Sequence, residues 1–188
     1  METLTMVPYG GQMSSLNTPP TFDPTPTRLH RPEPDAILRA ITKRSFCTLA
    51  TTSAAGRAHV AGVLYESTED SLYINTLRTS RKALNILTNP NVGVVIPVRR
   101  APVGPPSTIQ FQGRAEILDL RDPVIAQLLE SGGLKTITGH GELEMPDGCF
   151  IRIGIGGRLI THGLGMSLLA LIRAPVTAGG TVQLKPAP

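Results

Sequence analysis

Asp70-Ser-Leu-Tyr-Ile-Asn-Thr-Leu-Arg-Thr-Ser-Arg-Lys-Ala-Leu-Asn-Ile-Leu-Thr-Asn-Pro-Asn-Val-Gly-Val-Val-Ile-Pro-Val98 is the stretch that decides the fold of this chain. Its pattern predicts a strand over 71–76, a helix over 81–88 and a strand of β-branched residues over 92–98. Ser80 is a good N-cap, because its hydroxyl can accept a hydrogen bond from the free N–H groups of the first helical turn. The helix should end at Asn89-Pro90, since proline cannot continue it.

The start of this helix carries two cations, Arg81 and Lys82, where the helix dipole disfavours them. Each costs about 0.3–1 kcal/mol against the positive end of the dipole. Free N–H groups, a serine hydroxyl and two cations together suit a phosphate. The alternative is that both side chains are solvated surface charges, and the tripeptide by itself does not separate the two interpretations. The surrounding pattern favours phosphate.

Composition limits the classes of protein to consider. The 188 residues suffice for one domain with its own core, and an aromatic content of 4% without Trp predicts an aliphatic core. A net charge of +4 without a strong basic cluster argues against nucleic acid as a partner. No apolar run reaches transmembrane length and no secretory signal is visible, so we expect a cytoplasmic protein without a membrane partner.

The cysteines and histidines do not predict a metal site or a disulfide framework. Two cysteines are too few for either, and Cys47 and Cys149 should pack as small core residues in strands. The four histidines lack metal-ligand spacing. We therefore assign no metal ligand.

Three segments differ in composition. Residues 1–34 contain seven prolines and no hydrophobic period, which predicts a disordered or draped N-terminal arm. Residues 35–163 should form the folded domain, and residues 164–188 an apolar segment with a tail. The apolar run 164–172 should pack on the domain or across a dimer, with a short helix after Ser167, and the tail from Pro175 should be irregular.

Within 35–163 the pattern predicts six or seven strands broken by short helices, which indicates a barrel and not a doubly wound sheet. A short helix should start at Asp35, acting as its cap, and Asp122-Pro123 should open another. Loops are expected over 99–106 and 133–147, and Gly156-Gly157 should turn a final hairpin. The remaining strands are predicted over 46–52, 57–65, 108–118, 148–155 and 158–161.

The span from about Ile37 to Ile155 resembles the pyridoxamine 5′-phosphate oxidase-like family of flavin-binding split β-barrels. Four stretches carry the resemblance, and their order and spacing make the combination specific. They are the opening helix and strand over 36–51, the hairpin over 52–65, Tyr73-Ile-Asn-Thr76 with Ser80-Arg81-Lys82 and Asn89-Pro90, and the strand Thr108-Ile-Gln-Phe-Gln-Gly-Arg-Ala-Glu-Ile117.

The resemblance implies a mainly β split barrel of the FMN-binding type, assembled as a homodimer with the cofactor at the subunit interface. FMN is the implied cofactor, and the deazaflavin coenzyme F-420 is the alternative. The cations at 28, 31, 39, 43 and 44 could meet the anionic tail of that coenzyme, or form a solvated helix face. The implied cofactor-binding residues are His59, Val60, Ala61, Asn75, Thr76, Ser80, Arg81, Lys82, Thr108 and Gln110.

The chain departs from the pyridoxamine phosphate oxidases proper, which carry an Arg near Ala61 and a Lys near Glu66. Their absence argues against authentic pyridoxamine phosphate oxidation. The resemblance implies a flavin- or deazaflavin-dependent oxidoreductase that acts on a small organic substrate. No nucleophile or base stands out, so no catalytic residue is assigned, which also suits a flavin that carries the redox chemistry itself. The competing hypothesis is a carrier that binds flavin, haem or pyridoxal phosphate without turnover.

Overall fold

The computed structural model describes residues 32–68, 70–99 and 107–184. The predicted N-terminal arm, apart from its last three residues, and most of the loop predicted at 99–106 lie outside these ranges. Where the structure describes the chain, none of its helices is long and apolar enough to cross a membrane. The helices are α1 (Pro34–Thr42), α2 (Arg81–Thr88), α3 (Pro123–Glu130), α4 (Lys135–Thr138) and α5 (Leu168–Arg173). The strands are β1 (Phe46–Thr52), β2 (Ala58–Leu64), β3 (Glu66–Ser67), β4 (Ser71–Leu77), β5 (Asn91–Val98), β6 (Ser107–Asp119), β7 (Gly148–Gly154), β8 (Gly157–His162) and β9 (Gly179–Leu184).

The nine described strands form one curled antiparallel sheet, as the predicted mainly β split barrel requires. The main strand order is β2-β1-β5-β6-β7-β4-β3, and β8 and β9 branch from β6. Strand β6 holds the two halves together because it is 13 residues long. Its first half pairs with β5 and β8, and its second half pairs with β7.

Gly113 lies where β6 passes from one half of the sheet to the other. A Cβ added at Gly113 would lie 3.0 Å from the Gly154 carbonyl oxygen and 3.0 Å from Ile153 Cγ2. A backbone oxygen cannot move aside as a flexible side chain can, so this crossing requires glycine.

The barrel interior is aliphatic, as the composition predicted. Alternate residues of β1, β5 and the first half of β6 point inward, with the period of two expected for a strand with one buried face, whereas β4 and β7 are buried on both faces. Helix α1 adds Ile37 and Ile41 to this core. Both free cysteines are fully buried in strands, as predicted. A second cluster, around Tyr73, Ile125 and Phe150, joins α3 and α4 to the outer face of β4 and β7.

Most predicted elements are confirmed within one or two residues, and four predictions are wrong. Helix α1 begins at Pro34 with Glu33 as its N-cap, so Asp35 lies in the first turn and does not cap it. The segment 133–147 contains α4 and a 3-10 turn over Glu142–Glu144. The tail is not irregular after Pro175, because a 3-10 turn and β9 follow there.

The fourth error is the hairpin predicted from 148–155 and 158–161. Strands β7 and β8 do not pair with each other, although Gly157 turns the chain between them with φ of 71°. Each pairs with a different part of β6 instead: β7 with Ala115–Asp119 and β8 with Thr108–Phe111. A turn motif predicts where the chain reverses direction, but it does not predict which strands pair with each other.

Candidate functional site

The start of α2 is built as the sequence predicted. The Ser80 hydroxyl caps the helix, accepting a hydrogen bond from the Ala83 N–H at 3.4 Å. It also accepts from the Thr76 hydroxyl at 3.3 Å, which ties the end of β4 to the helix start. No acidic residue lies in the first turn of α2. The first turn therefore keeps its positive character.

Arg81 and Lys82 form no ion pair with any carboxylate in the described part of the chain. Arg81 is exposed, whereas Lys82 is partly buried. Burial lowers the pKa of the Lys82 ammonium, and Cys149 on β7 partly opposes this shift. A half-buried cation without a carboxylate partner retains free capacity to bind an anion.

The loop that leads into α2 is fixed from the opposite side by Asp147. The Asp147 carbonyl accepts from the Arg78 N–H at 2.8 Å, and its carboxylate accepts from the Thr79 N–H at 3.1 Å. The Arg78 guanidinium also pairs with Asp119 at the end of β6. These contacts hold residues 78–80 in one conformation before the helix begins.

His59, Val60 and Ala61 lie on β2, but they do not share a face. His59 pairs with Thr51 of β1 and Ala61 with Leu49, both of which point into the barrel. Val60 points to the opposite, outer face, where its side chain is 61% exposed. The cofactor contacts implied for these three residues stay a prediction; because adjacent strand residues face opposite sides, the side chains of His59 and Ala61 share a face that Val60 does not.

Helix α2 is linked to the β1–β2 strand pair through a buried polar pair, one member of which lies on β1. The Asn85 side-chain amide donates to the Thr51 hydroxyl at 2.9 Å, and the two residues are 6% and 2% exposed. Because Thr51 is the direct cross-strand partner of His59, this bond connects α2 to the strand pair that carries His59 and Ala61.

Asn75 and Thr76 end β4 and also face opposite sides. Thr76 points inward and donates to Ser80. Asn75 lies on the outer face beside Phe150, its cross-strand partner on β7. The Asn75 amide nitrogen is buried and has no hydrogen-bond partner among the described residues. A buried donor without an acceptor costs about 1–3 kcal/mol.

Thr108 and Gln110 lie three strands away from β2. Both point to the outer face of β6, where the Gln110 amide donates to the Thr108 hydroxyl at 3.1 Å. Gln110 pairs with Val95 of β5, and Val95 pairs with Thr48 of β1. Strands lie about 4.8 Å apart, so Gln110 lies some 14 Å across the sheet from β2. Within one chain, the side chains of Thr108 and Gln110 face the side of the sheet opposite to His59 and Ala61.

Two of the surface clefts, neither of them lined by Ser80, Arg81 or Lys82, lie on the sheet and beside it. The first, of about 550 Å³, crosses the outer ends of β1, β5 and β6, with Ala50 and Gly93 in its floor and Arg114 at its edge. The second, of about 770 Å³, lies beside the Arg78–Asp119 pair under the 3-10 turn at 142–144.

The arrangement described so far, a split barrel with a cationic helix start beside the end of β4, matches a known family. The family model described as pyridoxamine 5′-phosphate oxidase matches residues 34–148. The chain belongs to the pyridoxamine 5′-phosphate oxidase family. The match ends at the start of β7, so β8, α5 and β9 lie beyond the matched residues. No curated protein matches the sequence.

Solved structures support the fold at low identity. The haem storage protein HutZ from Vibrio cholerae is 20% identical, with 72% of this chain and 98% of that chain covered and a TM-score of 0.60. An FAD-binding protein from Mesorhizobium loti is 19% identical, with coverage of 68% and 92% and a TM-score of 0.55. A haem-binding protein from Mycobacterium smegmatis is 14% identical, with coverage of 82% and 60% and a TM-score of 0.62. At these identities the likeness shows the fold alone.

The residues at the start of α2 and the end of β4 fit a phosphorylated cofactor. Ser80 and an unpaired Lys82 supply a hydroxyl donor and a cationic donor, which suit an anionic ligand rich in acceptors, whereas the orphaned Asn75 amide lies on the opposite face of β4. The sequence analysis missed the contacts that hold this region in place, namely Asn85–Thr51 and the Asp147 bonds. Their partners are 34 and 68 residues apart, and neither pair has a local motif that could have revealed it.

Proposed function

We propose that this protein is a flavin-dependent oxidoreductase that binds FMN with its phosphate at the start of α2. The observation that carries the proposal is the half-buried Lys82, which has no carboxylate partner in the described part of the chain and lies next to the Ser80 cap. Arg81 adds a second cation at the positive end of the helix dipole. Two uncompensated cations at this position are costly for a free protein and favourable for one that holds a phosphate.

The ring end of the cofactor would lie along β2, where His59 and Ala61 share a face. When bound, the flavin itself supplies the hydride or electron transfer. The protein's part is to hold the phosphate, orient the ring and exclude water, and this agrees with a sequence in which no nucleophile or base stands out.

We infer that the working unit is a homodimer, since within one chain Thr108 and Gln110 face away from the side of the sheet on which Thr76, His59 and Ala61 lie. The outer face of β1, β2 and β8 exposes large apolar side chains: Phe46 (46%), Val60 (61%), Leu64 (55%) and Ile160 (43%). Thr108 and Gln110 lie on this same outer face. Pairing of two copies through it would bury these side chains and place Thr108 and Gln110 in the interface.

A carrier function is the second candidate, favoured by a specific likeness. Two of the three solved structures named above are described as haem storage or haem-binding proteins. A carrier would need no substrate pocket. The deazaflavin coenzyme F-420 is the further cofactor to test, although Arg44 is already used structurally, donating to the Arg99 carbonyl at 3.0 Å.

The test is a parallel titration of the purified protein with FMN, F-420, haem and pyridoxal phosphate, followed by absorbance and fluorescence. We expect FMN to bind, and Lys82→Ala and Arg81→Ala each to weaken it by about 1–3 kcal/mol, the range for hydrogen bonds to charged groups. Lys135→Ala, an exposed lysine on α4, is the matched control and should leave the affinity unchanged.

Turnover is tested separately by reducing the bound cofactor and following its reoxidation with candidate organic acceptors. If the protein is an oxidoreductase, at least one acceptor should reoxidise the bound reduced cofactor faster than it reoxidises free reduced FMN under the same conditions. Tight binding of haem with no affinity for either flavin-type cofactor would favour the carrier and overturn the proposal.

A further inference from the structure

Asn85 and Thr51 are a buried polar pair that the binding proposal does not use. Asn85 is on the second turn of α2, and Thr51 is on β1. Their bond is 2.9 Å long, and both side chains are almost fully buried. A buried, hydrogen-bonded pair of this kind rigidifies the elements it joins.

The pair connects the two halves of the candidate site. On one side, Asn85 belongs to the same helix as Ser80, Arg81 and Lys82. On the other, Thr51 is paired in register with His59, and Leu49 with Ala61. A displacement of α2 along the barrel would therefore alter the distance between the phosphate-binding helix start and strand β2.

We propose that the Asn85–Thr51 hydrogen bond is a positioning contact, which sets the spacing between the phosphate end and the ring end of the bound cofactor. The inference rests on the proposed function, because it requires a ligand that spans both ends. A ligand with its two parts joined gains affinity only if the protein holds the two subsites at the matching distance. Asn85 and Thr51 touch neither part of the ligand in this account.

The test compares three probes: FMN, riboflavin and inorganic phosphate, with phosphate measured by its competition with FMN. In the wild type, FMN should bind at least about tenfold more tightly than riboflavin. The double variant Asn85→Leu/Thr51→Val removes both partners and replaces them with apolar groups of similar size, which is close to neutral for folding. The double variant should bind FMN about tenfold or more weakly than the wild type, while its affinities for riboflavin and phosphate should be unchanged.

Thr51→Ser retains the hydroxyl and is the conservative control, expected to bind all three probes as the wild type does. Equal weakening of all three probes in the double variant would mean that the pair supports the fold only, and unchanged FMN affinity would mean that it positions nothing. Either result overturns the inference. Failure of the wild type to bind FMN would instead overturn the proposed function.

Discussion

Ser80 shows what local chemistry can reveal at the scale of one residue. Its role as N-cap was predicted from the sequence and is confirmed by the bond from the Ala83 N–H. This works because donor and acceptor are three residues apart, so the short segment contains the whole interaction. Asn85 was missed because its partner, Thr51, lies 34 residues away and depends on the packing of α2 on the barrel.

Lys82 should reduce the stability of the protein without cofactor. Burial lowers the pKa of its ammonium below the 10.5 of a free lysine, so the unfolded chain holds the proton more tightly than the folded one. The stability of the apo protein should therefore rise with pH between the folded pKa and 10.5. Thermal unfolding should show that Lys82→Met is more stable than the wild type near pH 7, and that the gap narrows as the pH approaches 10.

FMN should reverse this order, because a ligand that binds only the folded state adds about 2.7 kcal/mol at 100 times its Kd. The wild type should gain that stabilisation, and Lys82→Met only part of it at the same FMN concentration. A Lys82→Met protein that is less stable than the wild type without cofactor would contradict the account of a strained, unpaired cation.

The two thiols should be unreactive while the protein is folded. Burial raises the pKa of Cys47 to about 12 and also raises that of Cys149. At pH 8, roughly one Cys47 in ten thousand would then be a thiolate, which is the reactive form. A colorimetric thiol reagent should detect neither cysteine in the native protein and both after denaturation. Fast reaction of the native protein would place a cysteine at the surface and contradict the strand assignment.

At the scale of elements, the strands were predictable from their period of two, but their partners were not. The pattern gave β6 as one long strand, yet nothing local showed that its two halves pair with different neighbours. Strand β9 was missed because the segment 179–184 begins with two glycines and alternates over a few residues only. It is stable in the structure because β8 supplies its hydrogen bonds over six residue pairs.

Gly113 lies where β6 passes between the two halves of the sheet, and its substitution can be compared with that of Gly93 on β5. Gly113→Ala should destabilise the protein by about 1–3 kcal/mol, the usual cost of overpacking, since the new Cβ would meet the Gly154 carbonyl at 3.0 Å. Gly93→Ala adds the same methyl group to β5, where the nearest atom is the Ala50 Cβ at an ordinary 3.7 Å. Chemical denaturation should separate the two variants, and equal stabilities would refute the close crossing.

The C-terminal elements should be essential for stability. A chain that ends at Gly163 lacks α5 and β9, which removes the pairing partner of β8 and exposes the Leu159 side chain. We expect it to aggregate or to melt at a lower temperature, whereas removal of residues 1–20 should be tolerated. A chain ending at Gly163 with the melting temperature of the full chain would show that β9 is dispensable.

At the scale of the whole molecule, the sequence predicted the fold because many weak local signals agree on one barrel. It did not reveal that the ten implied site residues point to different faces of the sheet. Val60, Thr108 and Gln110 face outward, whereas His59, Ala61 and Thr76 face the interior, and only the assembled sheet shows this. The homodimer therefore stays a prediction, now tied to a defined surface.

Dimerisation should fail when a charge is placed on that surface. Val60→Asp puts a carboxylate on the exposed apolar face of β2, and a buried unpaired charge at an interface costs several kcal/mol. Sedimentation should show a dimer for the wild type and a monomer for Val60→Asp. Val124→Asp changes an exposed valine on α3, away from this face, and should remain dimeric. A wild type that sediments as a monomer at micromolar concentration would contradict the dimer.

The measurement that tests the central claim most directly is the ratio of FMN affinity to riboflavin affinity, taken by calorimetry for the wild type, Arg81→Ala, Lys82→Ala and Lys135→Ala. The two ligands differ only in the phosphate that we place at the start of α2. We predict that the wild type and Lys135→Ala prefer FMN by at least about tenfold, and that this preference falls sharply in the two other variants. Equal affinities for FMN and riboflavin in the wild type, or a preference that survives the loss of both Arg81 and Lys82, would contradict the account.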